Sequence, residues 1–117
     1  MDKVAIIGAG ISGLALANKL KNHFEVVVFE KSRGYGGRVA TRRFGEFIFD
    51  HGAQFFKAKT EEFKNYIKPM IDQNIIDVWK ARFVEIDNGK ITNDRVWGED
   101  PSNYVGIPSM NAIGKYM

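Results

Sequence analysis

The sequence predicts an α/β fold that begins with a parallel βαβ unit. Residues 3–7 form a short apolar run without alternation, which is typical of a strand buried on both faces. A glycine-rich turn and a stretch with helical spacing come next, and residues 25–29 (EVVVF) form a second continuous apolar run. A strand, a crossover helix and a second strand in this order imply that the two strands lie parallel.

The crossover helix, which begins near Ser12, is predicted from a single apolar stripe. Its apolar positions lie three, three and four residues apart, and this spacing places them on one face of an α-helix. The stripe consists of Leu14, Ala17, Leu20 and Phe24.

Shorter elements are predicted after residue 45. Residues 46–49 indicate a short strand with two phenylalanines on one face. A helix is predicted over residues 61–73, because Thr60 can cap it and two glutamates suit its positive end. Pro69 should kink this helix. Its buried face is expected to consist of Phe63, Ile67, Met70 and Ile71.

The last part of the chain is predicted to hold a hairpin and a short helix. Residues 78–86 indicate a strand, and DNGK at residues 87–90 indicates a hairpin turn because Asn-Gly tolerates positive φ. The return strand begins at Ile91. Ser109 can cap a final helix that carries three apolar residues on one side. These residues are Met110, Ile113 and Met117.

Length and composition limit the classes of function. The 117 residues correspond to one small domain, and the 44% apolar and 26% charged fractions are those of an ordinary globular protein. The absence of cysteine excludes disulfides, thiol redox chemistry and thiolate zinc sites, so any redox function must reside in a bound small molecule. No apolar run is long enough to span a bilayer, and the start does not resemble a signal peptide, so the expected location is cytoplasmic.

The glycine-rich turn at residues 8–13 (GAGISG) matches the dinucleotide-binding fingerprint of a Rossmann-like unit. Gly8 makes the tight turn, a side chain at Gly10 would block a pyrophosphate, and one at Gly13 would hold the helix off the strand. The first helical residues, Ile11 and Ser12, direct unpaired N–H groups and the positive end of the helix at the phosphates. These five residues form the first part of a predicted cofactor site.

Glu30 supplies the second part of this site. It ends the second strand, where a carboxylate can accept hydrogen bonds from both ribose hydroxyls and disfavours a 2′-phosphate. Lys31 follows directly and is included in the site. NAD and FAD both satisfy this pattern. The alternative to nucleotide binding is that the glycine turn is needed only for close packing.

The next segment favours FAD. Gly36 and Gly37 let a second backbone segment approach the pyrophosphate, and Arg38 can supply a planar cation for it. These residues lie within EKSRGYGGRVATRR (residues 30–43). Three further features follow in order, namely FDHGAQFF (residues 49–56), Trp79 and YVGIPSM (residues 104–110). With these features the chain resembles the FAD-binding domain of the flavin amine oxidase superfamily, in particular its bacterial renalase-like branch.

The resemblance implies the amino-terminal third of a flavoenzyme. Residues 1–58 would then form the FAD-binding segment, residues 59–103 part of a substrate domain, and residues 104–117 the start of a helix that returns to the FAD domain. The complete enzyme would pass a hydride from a dihydronicotinamide or an amine to the flavin and then reduce oxygen, and this chain alone would not be catalytically complete. Gly34 departs from the family pattern, because many members have an arginine there.

The segment at residues 50–54 (DHGAQ) corresponds, by the same resemblance, to a part of the family that lies close to the flavin ring. Gln54 would bond the isoalloxazine edge, and Gly52 would allow close approach. Alternatively, Asp50 and Gln54 only satisfy a turn after the strand. An acid–base dyad of Asp50 and His51 is disfavoured, because adjacent residues on an extended chain point to opposite faces.

Metal, nucleic-acid and membrane partners have little support. The two histidines form no ligand pair at helical spacing, so no metal site is predicted. The basic cluster lies next to a fingerprint for a diphosphate-containing cofactor, which explains its charge better than nucleic acid does. The cluster consists of Lys31, Arg33, Arg38, Arg42 and Arg43.

Two other hypotheses stay open. The first is a non-enzymatic remnant or half-protein, because two parallel strands with one crossover bury too little of either sheet face. A complementary carboxy-terminal chain or a second copy would then complete the sheet. The second is an NAD-binding domain, which uses Glu30 equally well but leaves the segment of residues 36–38 unexplained.

Overall fold

The computed structural model describes residues 1–97 and 103–117, which form three α-helices, one 3₁₀ helix and nine strands. None of the helices within these ranges is long and apolar enough to cross a membrane. In chain order the elements are β1 (Lys3–Ile7), α1 (Ile11–Leu20), β2 (Glu25–Phe29), the 3₁₀ helix (Gly37–Val39), β3 (Arg42–Phe44), β4 (Phe47–Phe49), β5 (Phe56–Lys57), α2 (Glu61–Asp72), β6 (Ile76–Val78), β7 (Ala81–Asp87), β8 (Lys90–Trp97), β9 (Asn103–Gly106) and α3 (Asn111–Tyr116).

The predicted βαβ unit is confirmed. β1 and β2 pair in parallel, with Lys3 opposite Glu25 and Ile7 opposite Phe29, and α1 connects them. The predicted burial of both sheet faces is wrong for the part of the chain that the structure describes. Ile6 is buried on the face that α1 covers, whereas Ile7 and Phe29 on the opposite face are 83% and 55% exposed. A single crossover helix covers only one face of a sheet.

The core lies between α2, α3 and a three-stranded antiparallel sheet in the order β5–β9–β6. The central strand β9 places Tyr104 opposite Phe56 and Gly106 opposite Ile76. Neither β5 nor β9 was predicted, because each is too short for a periodic signal and pairs with a distant segment. The division of the chain at residues 58 and 103 stays a prediction. The buried core consists of Val39, Ala58, Ile67, Met70, Ile76, Tyr104, Met110 and Ile113.

The helix predicted over residues 61–73 is observed as α2. The predicted cap is confirmed, since the Thr60 hydroxyl accepts a hydrogen bond from the N–H of Phe63 at 3.2 Å. The predicted apolar face is confirmed only in part, because its two central residues are buried whereas Phe63 is exposed. α2 continues through Pro69 to its last residue, and the kink predicted there stays a prediction.

The strand predicted over residues 78–86 is confirmed in part. Residues 81–86 lie in β7, whereas Val78 ends β6, which belongs to a different sheet. The N–H of Trp79 donates to the Asn103 carbonyl at 2.8 Å, and the chain leaves the core sheet after this bond. The sequence of this segment does not show where one strand ends and the next begins. The predicted hairpin turn is confirmed, with φ of 49° at Asn88 and 75° at Gly89.

A second hairpin pairs β3 with β4 around Gly45, whose φ is 59°. The short strand predicted near residues 46–49 is confirmed as β4, and the rings of Phe47 and Phe49 lie on one face with centroids 6.4 Å apart. The partner β3 was not predicted, because its two arginines give no apolar signal.

The predicted cap of the last helix is wrong. Met110 occupies the N-cap position of α3 and makes no side-chain cap bond. The Ser109 hydroxyl donates to the side-chain oxygen of Asn111 at 2.9 Å, so it does not reach a main-chain N–H of the helix. The predicted apolar side of α3 is confirmed, because Met110 and Ile113 are buried and Met117 packs against the core.

Candidate dinucleotide-binding site

The turn between β1 and α1 has the geometry that the glycine pattern predicts. Gly8 has a φ of 96°, which favours glycine, and its N–H donates to the Phe29 carbonyl at 2.7 Å. A Cβ at Gly13 would overlap the carbonyl oxygen of Gly8. The roles predicted for Gly8 in the turn and for Gly13 in close packing are therefore confirmed.

Gly10 is required neither by packing, as Gly13 is, nor by a positive φ, as Gly8 is. A Cβ built there would meet no atom within 4 Å, and its φ of −74° is one that any residue adopts. Gly10 is also the N-cap of α1, and α1 has no side-chain cap. The first N–H groups of α1, at Ile11, Ser12 and Gly13, therefore have neither an intrahelical partner nor a cap. This arrangement leaves both room and hydrogen-bond donors for an anion.

The second glycine segment lies directly against the first. The N–H of Gly36 donates to the Ala9 carbonyl at 2.7 Å, and Gly36 forms a parallel bridge with Gly10. A Cβ at Gly37 would lie 3.2 Å from the Cα of Gly10. Both residues have positive φ, 110° at Gly36 and 57° at Gly37. The structure thus brings together two glycine segments that the sequence separates by more than twenty residues.

The carboxylate of Glu30 is fixed beside the glycine turn. One oxygen accepts from the N–H of Ala9 at 2.7 Å, and the other accepts from the N–H of Ser32 at 2.9 Å. These hydrogen bonds, that from Ser32 first and then that from Ala9, lower the pKa of Glu30 from its ordinary value of 4.5. Glu30 is therefore an ionised acceptor at neutral pH, and it ties the end of β2 to the turn.

A cleft of about 490 Å³ opens beside Glu30. Ala9 and Glu30 line it, and so do Arg33 and Tyr35 from the connection that follows β2. Gly114 and Lys115 of α3 also line it, and sequence reasoning missed both. A signal for Gly114 did exist, because a glycine inside a helix often marks close packing.

A second, mainly apolar groove of about 700 Å³ borders the amino end of α1. Ile11 and Ser12 lie on its wall, together with Val39 of the 3₁₀ helix and Ala53. α2 and α3 form the remaining walls. The amino end of α1 thus borders the apolar groove, and Leu14 of the same helix lines the cleft beside Glu30.

The segment at residues 50–54 is held by tertiary packing. The Asp50 carboxylate accepts from the Thr41 hydroxyl at 2.7 Å and from the N–H of Met110 at 3.1 Å. A Cβ at Gly52 would overlap the carbonyl oxygen of Arg38, so this glycine is required for packing. The bonds of Asp50 agree with the simpler alternative, in which it satisfies the backbone, and they leave an acid–base dyad with His51 without support.

The remaining predicted residues have exposed side chains. Lys31 follows Glu30, Arg38 lies in the 3₁₀ helix, and Gln54 precedes β5. Of these, Arg38 is tied to the segment at residues 50–54, because its carbonyl accepts from the N–H of Ala53 at 2.7 Å. Among residues 1–97 and 103–117, no group of three or more His, Cys, Asp or Glu side chains could hold a metal ion.

These features define a dinucleotide-binding protein, and comparison with known proteins agrees. Residues 6–73 match the model of the NAD(P)-binding Rossmann-like domain family. This match covers more than half of the 117 residues, and the chain therefore belongs to that family.

Curated relatives share this part of the chain. The prenylcysteine oxidase 1-like protein of Mus musculus is 37% identical over 70 residues, which are 56% of this chain and 14% of the relative. The possible lysine-specific histone demethylase 1 of Drosophila melanogaster is 46% identical over 54 residues, 45% of this chain and 6% of the relative. The 4,4′-diapophytoene desaturase of Staphylococcus haemolyticus is 32% identical over 103 residues, 78% of this chain and 20% of the relative.

These relatives belong to the FAD-dependent amine oxidase superfamily, and their similarity supports FAD as the cofactor. This chain spans at most a fifth of the length of each of the three. Among solved structures, a CLA-producing fatty acid isomerase from P. acnes superimposes with a TM-score of 0.55 at 21% identity. The match covers 76% of this chain and 21% of the isomerase, and it supports the fold alone.

Proposed function

We propose that this chain binds the adenosine diphosphate half of FAD, as the FAD-binding portion of a renalase-like flavin oxidoreductase. One observation carries the proposal. Gly10 leaves open space at the uncapped amino end of α1, and the ionised Glu30 is fixed beside it. The order of the sequence motifs supports the renalase-like branch.

The pyrophosphate binds at the amino end of α1. The free N–H groups of Ile11, Ser12 and Gly13 donate to its oxygens, because the positive end of the helix favours an anion there. Lys31 and Arg38 add positive charge from exposed positions on the neighbouring segments. Gly36 and Gly37 serve this site by letting their backbone lie against Gly10 without side chains.

Glu30 binds the ribose. Each carboxylate oxygen uses one lone pair for a main-chain N–H and keeps another for a ribose hydroxyl. The lowered pKa keeps Glu30 ionised, and a negative carboxylate repels a 2′-phosphate. The residue therefore selects an unsubstituted adenosine ribose.

The 3₁₀ helix and the segment at residues 50–54 would hold the flavin end of the cofactor. When bound, the flavin would supply the acceptor for a hydride from a dihydronicotinamide or an amine. Val39 and Ala53 supply apolar surface for the ring, and the exposed amide of Gln54 is free to bond its edge. The chain would orient the ring, and we assign no catalytic role to any of its residues.

We also propose that further polypeptide completes the enzyme. Ile7, Val27 and Phe29 form an exposed apolar face on the β1–β2 sheet, and a second layer of structure would bury it. A complementary carboxy-terminal chain or a second copy of this chain could provide that layer. The chain alone would bind cofactor without completing catalysis.

An NAD-binding domain is the second candidate, because the matching family is described as NAD(P)-binding. Titration of the purified chain with FAD and, separately, with NADH distinguishes the two. We expect quenching of flavin fluorescence at micromolar FAD and no response to NADH. Binding of NADH with no binding of FAD would overturn the proposal in favour of the second candidate.

The Gly10→Ala variant tests the site itself. The added methyl group meets no protein atom, and the φ of residue 10 is one that alanine adopts, so the fold should persist. The methyl group nevertheless occupies the space proposed for the pyrophosphate. We expect FAD affinity to fall about tenfold or more, which corresponds to about 1.4 kcal/mol. Asn65→Ala is the control, because Asn65 is exposed on α2 and lines neither the cleft nor the apolar groove. Equal affinities of the two variants would contradict the proposed position of the pyrophosphate.

A further inference from the structure

The amino end of α3 is held by two side chains from a distant part of the chain. The N–H of Met110 donates to both carboxylate oxygens of Asp50, at 3.1 Å each. The N–H of Asn111 donates to the Thr41 hydroxyl at 3.2 Å, and this hydroxyl donates to Asp50 at 2.7 Å. Asp50 and Thr41 therefore replace the cap that α3 does not make for itself.

The other end of α3 forms part of the cleft beside Glu30. A Cβ at Gly114 would lie 3.3 Å from the Cα of Gly36 and 3.4 Å from the ring of Tyr35. α3 therefore rests directly on the second glycine segment. Because Gly36 is bonded to Ala9, the placement of α3 and the placement of the two glycine segments are connected by direct contacts.

A continuous set of contacts thus leads from Asp50 to the cleft. Asp50 bonds the start of α3, and Met110 and Ile113 anchor the helix in the core. Gly114 then packs against Gly36 and lines the cleft together with Lys115. Asp50 itself does not line the cleft.

We propose that Asp50 is a positioning residue for the dinucleotide site. With Thr41 it fixes α3, so that Gly114 holds the second glycine segment against Gly10 and keeps the cleft beside Glu30 in the form that binds adenosine diphosphate. This inference rests on the proposed function. It gives Asp50 a role in cofactor binding without any contact with the cofactor.

The test uses ADP as the probe and the full 117-residue chain. Asp50→Ala removes both acceptors, and we expect its ADP affinity to fall about fivefold to tenfold at a temperature where circular dichroism shows it folded. Asp50→Asn keeps one acceptor for Met110 and should restore part of the affinity. Thr41→Val removes the hydroxyl and should weaken binding, whereas Thr41→Ser should bind like the wild type.

Thr60→Ala is the matched control, because it removes the side-chain cap of α2. It should lower stability in a similar way and leave the affinity for ADP unchanged. Amide hydrogen exchange adds a direct readout, since Asp50→Ala should speed exchange at Gly36 and Thr60→Ala should not. A purely structural role of Asp50 would change stability in both variants and affinity in neither.

The outcomes separate the two proposals. Wild-type chain that does not bind ADP would overturn the proposed function and this inference with it. Wild-type binding together with unchanged affinity and unchanged Gly36 exchange in folded Asp50→Ala would overturn the inference alone. If Asp50→Ala does not fold, Asp50→Asn and Thr41→Val decide the question by the same two measurements.

Discussion

The glycine turn at residues 8–13 and the segment at residues 50–54 both contain a glycine motif, but the structure uses the two differently. In the turn, Gly10 faces open space and leaves main-chain donors free for a ligand. In the segment at residues 50–54, Gly52 packs against the Arg38 carbonyl, and the Asp50 carboxylate accepts hydrogen bonds from Thr41 and Met110. The comparison teaches that a glycine motif near a cofactor site can serve the fold alone, and only the surroundings of each glycine separate the two cases.

The largest expected effect is the loss of stability when a closely packed glycine is replaced by alanine. Gly13→Ala and Gly52→Ala each place a methyl group on a main-chain carbonyl oxygen, which can move only if the backbone moves. We expect each change to lower the free energy of unfolding by about 3 kcal/mol, as measured by urea denaturation. Gly34→Ala, whose methyl group meets open space, should change it little. If Gly52→Ala were as stable as Gly34→Ala, the surroundings of Gly52 would be as open as those of Gly10.

A smaller effect is expected at Gln54, an exposed residue of the segment at residues 50–54. If its amide bonds the flavin edge, Gln54→Ala should weaken FAD binding by about 1 kcal/mol and leave ADP binding unchanged. The two affinities can be measured by fluorescence quenching and by calorimetry. His51→Ala is the control from the same segment, because His51 is exposed and has no proposed cofactor contact. Equal losses of FAD and ADP affinity in Gln54→Ala would indicate a structural role instead.

The smallest effect concerns stability at Glu30, which is solvent-exposed. Its pKa is lower in the folded chain than its ordinary value of 4.5, because it accepts hydrogen bonds from the N–H groups of Ser32 and Ala9. Its contribution to stability is therefore present above pH 4.5 and is lost as the pH falls through the lowered folded pKa. We expect the wild type to be more stable than Glu30→Gln at pH 7 and this difference to shrink in acid.

Urea denaturation between neutral and acidic pH measures this difference. Glu46→Gln, which removes a negative charge from the turn between β3 and β4, is the control. A difference between wild type and Glu30→Gln that grows as the pH falls would contradict the tie between Glu30 and the glycine turn.

Much of the first forty residues could be predicted from the sequence. The parallel strands, the crossover helix and the roles of Gly8 and Gly13 follow from local patterns, because each depends on residues close together in the chain. The Thr60 cap and the turn at Asn88 and Gly89 are local in the same sense, and both are confirmed.

The errors lie where distant segments meet. The sequence of residues 78–86 gives no sign that the chain leaves one sheet at Val78 and enters another at Ala81. Ser109 is a residue type that often caps helices, but the N–H groups at the start of α3 donate to Asp50 and Thr41 from another part of the chain. The two-residue strand β5 exists only because β9 pairs with it.

The sequence by itself determined the class of fold and the first half of the candidate site. Glycine and a carboxylate at fixed spacing restrict the backbone locally, and a local restriction is visible in a sequence. Only the tertiary structure decided that Gly114 and Lys115 join the cleft, that Gly52 serves packing, and that one face of the β1–β2 sheet is exposed. Those outcomes depend on which segments come into contact, and contacts between distant segments leave no periodic pattern along the chain.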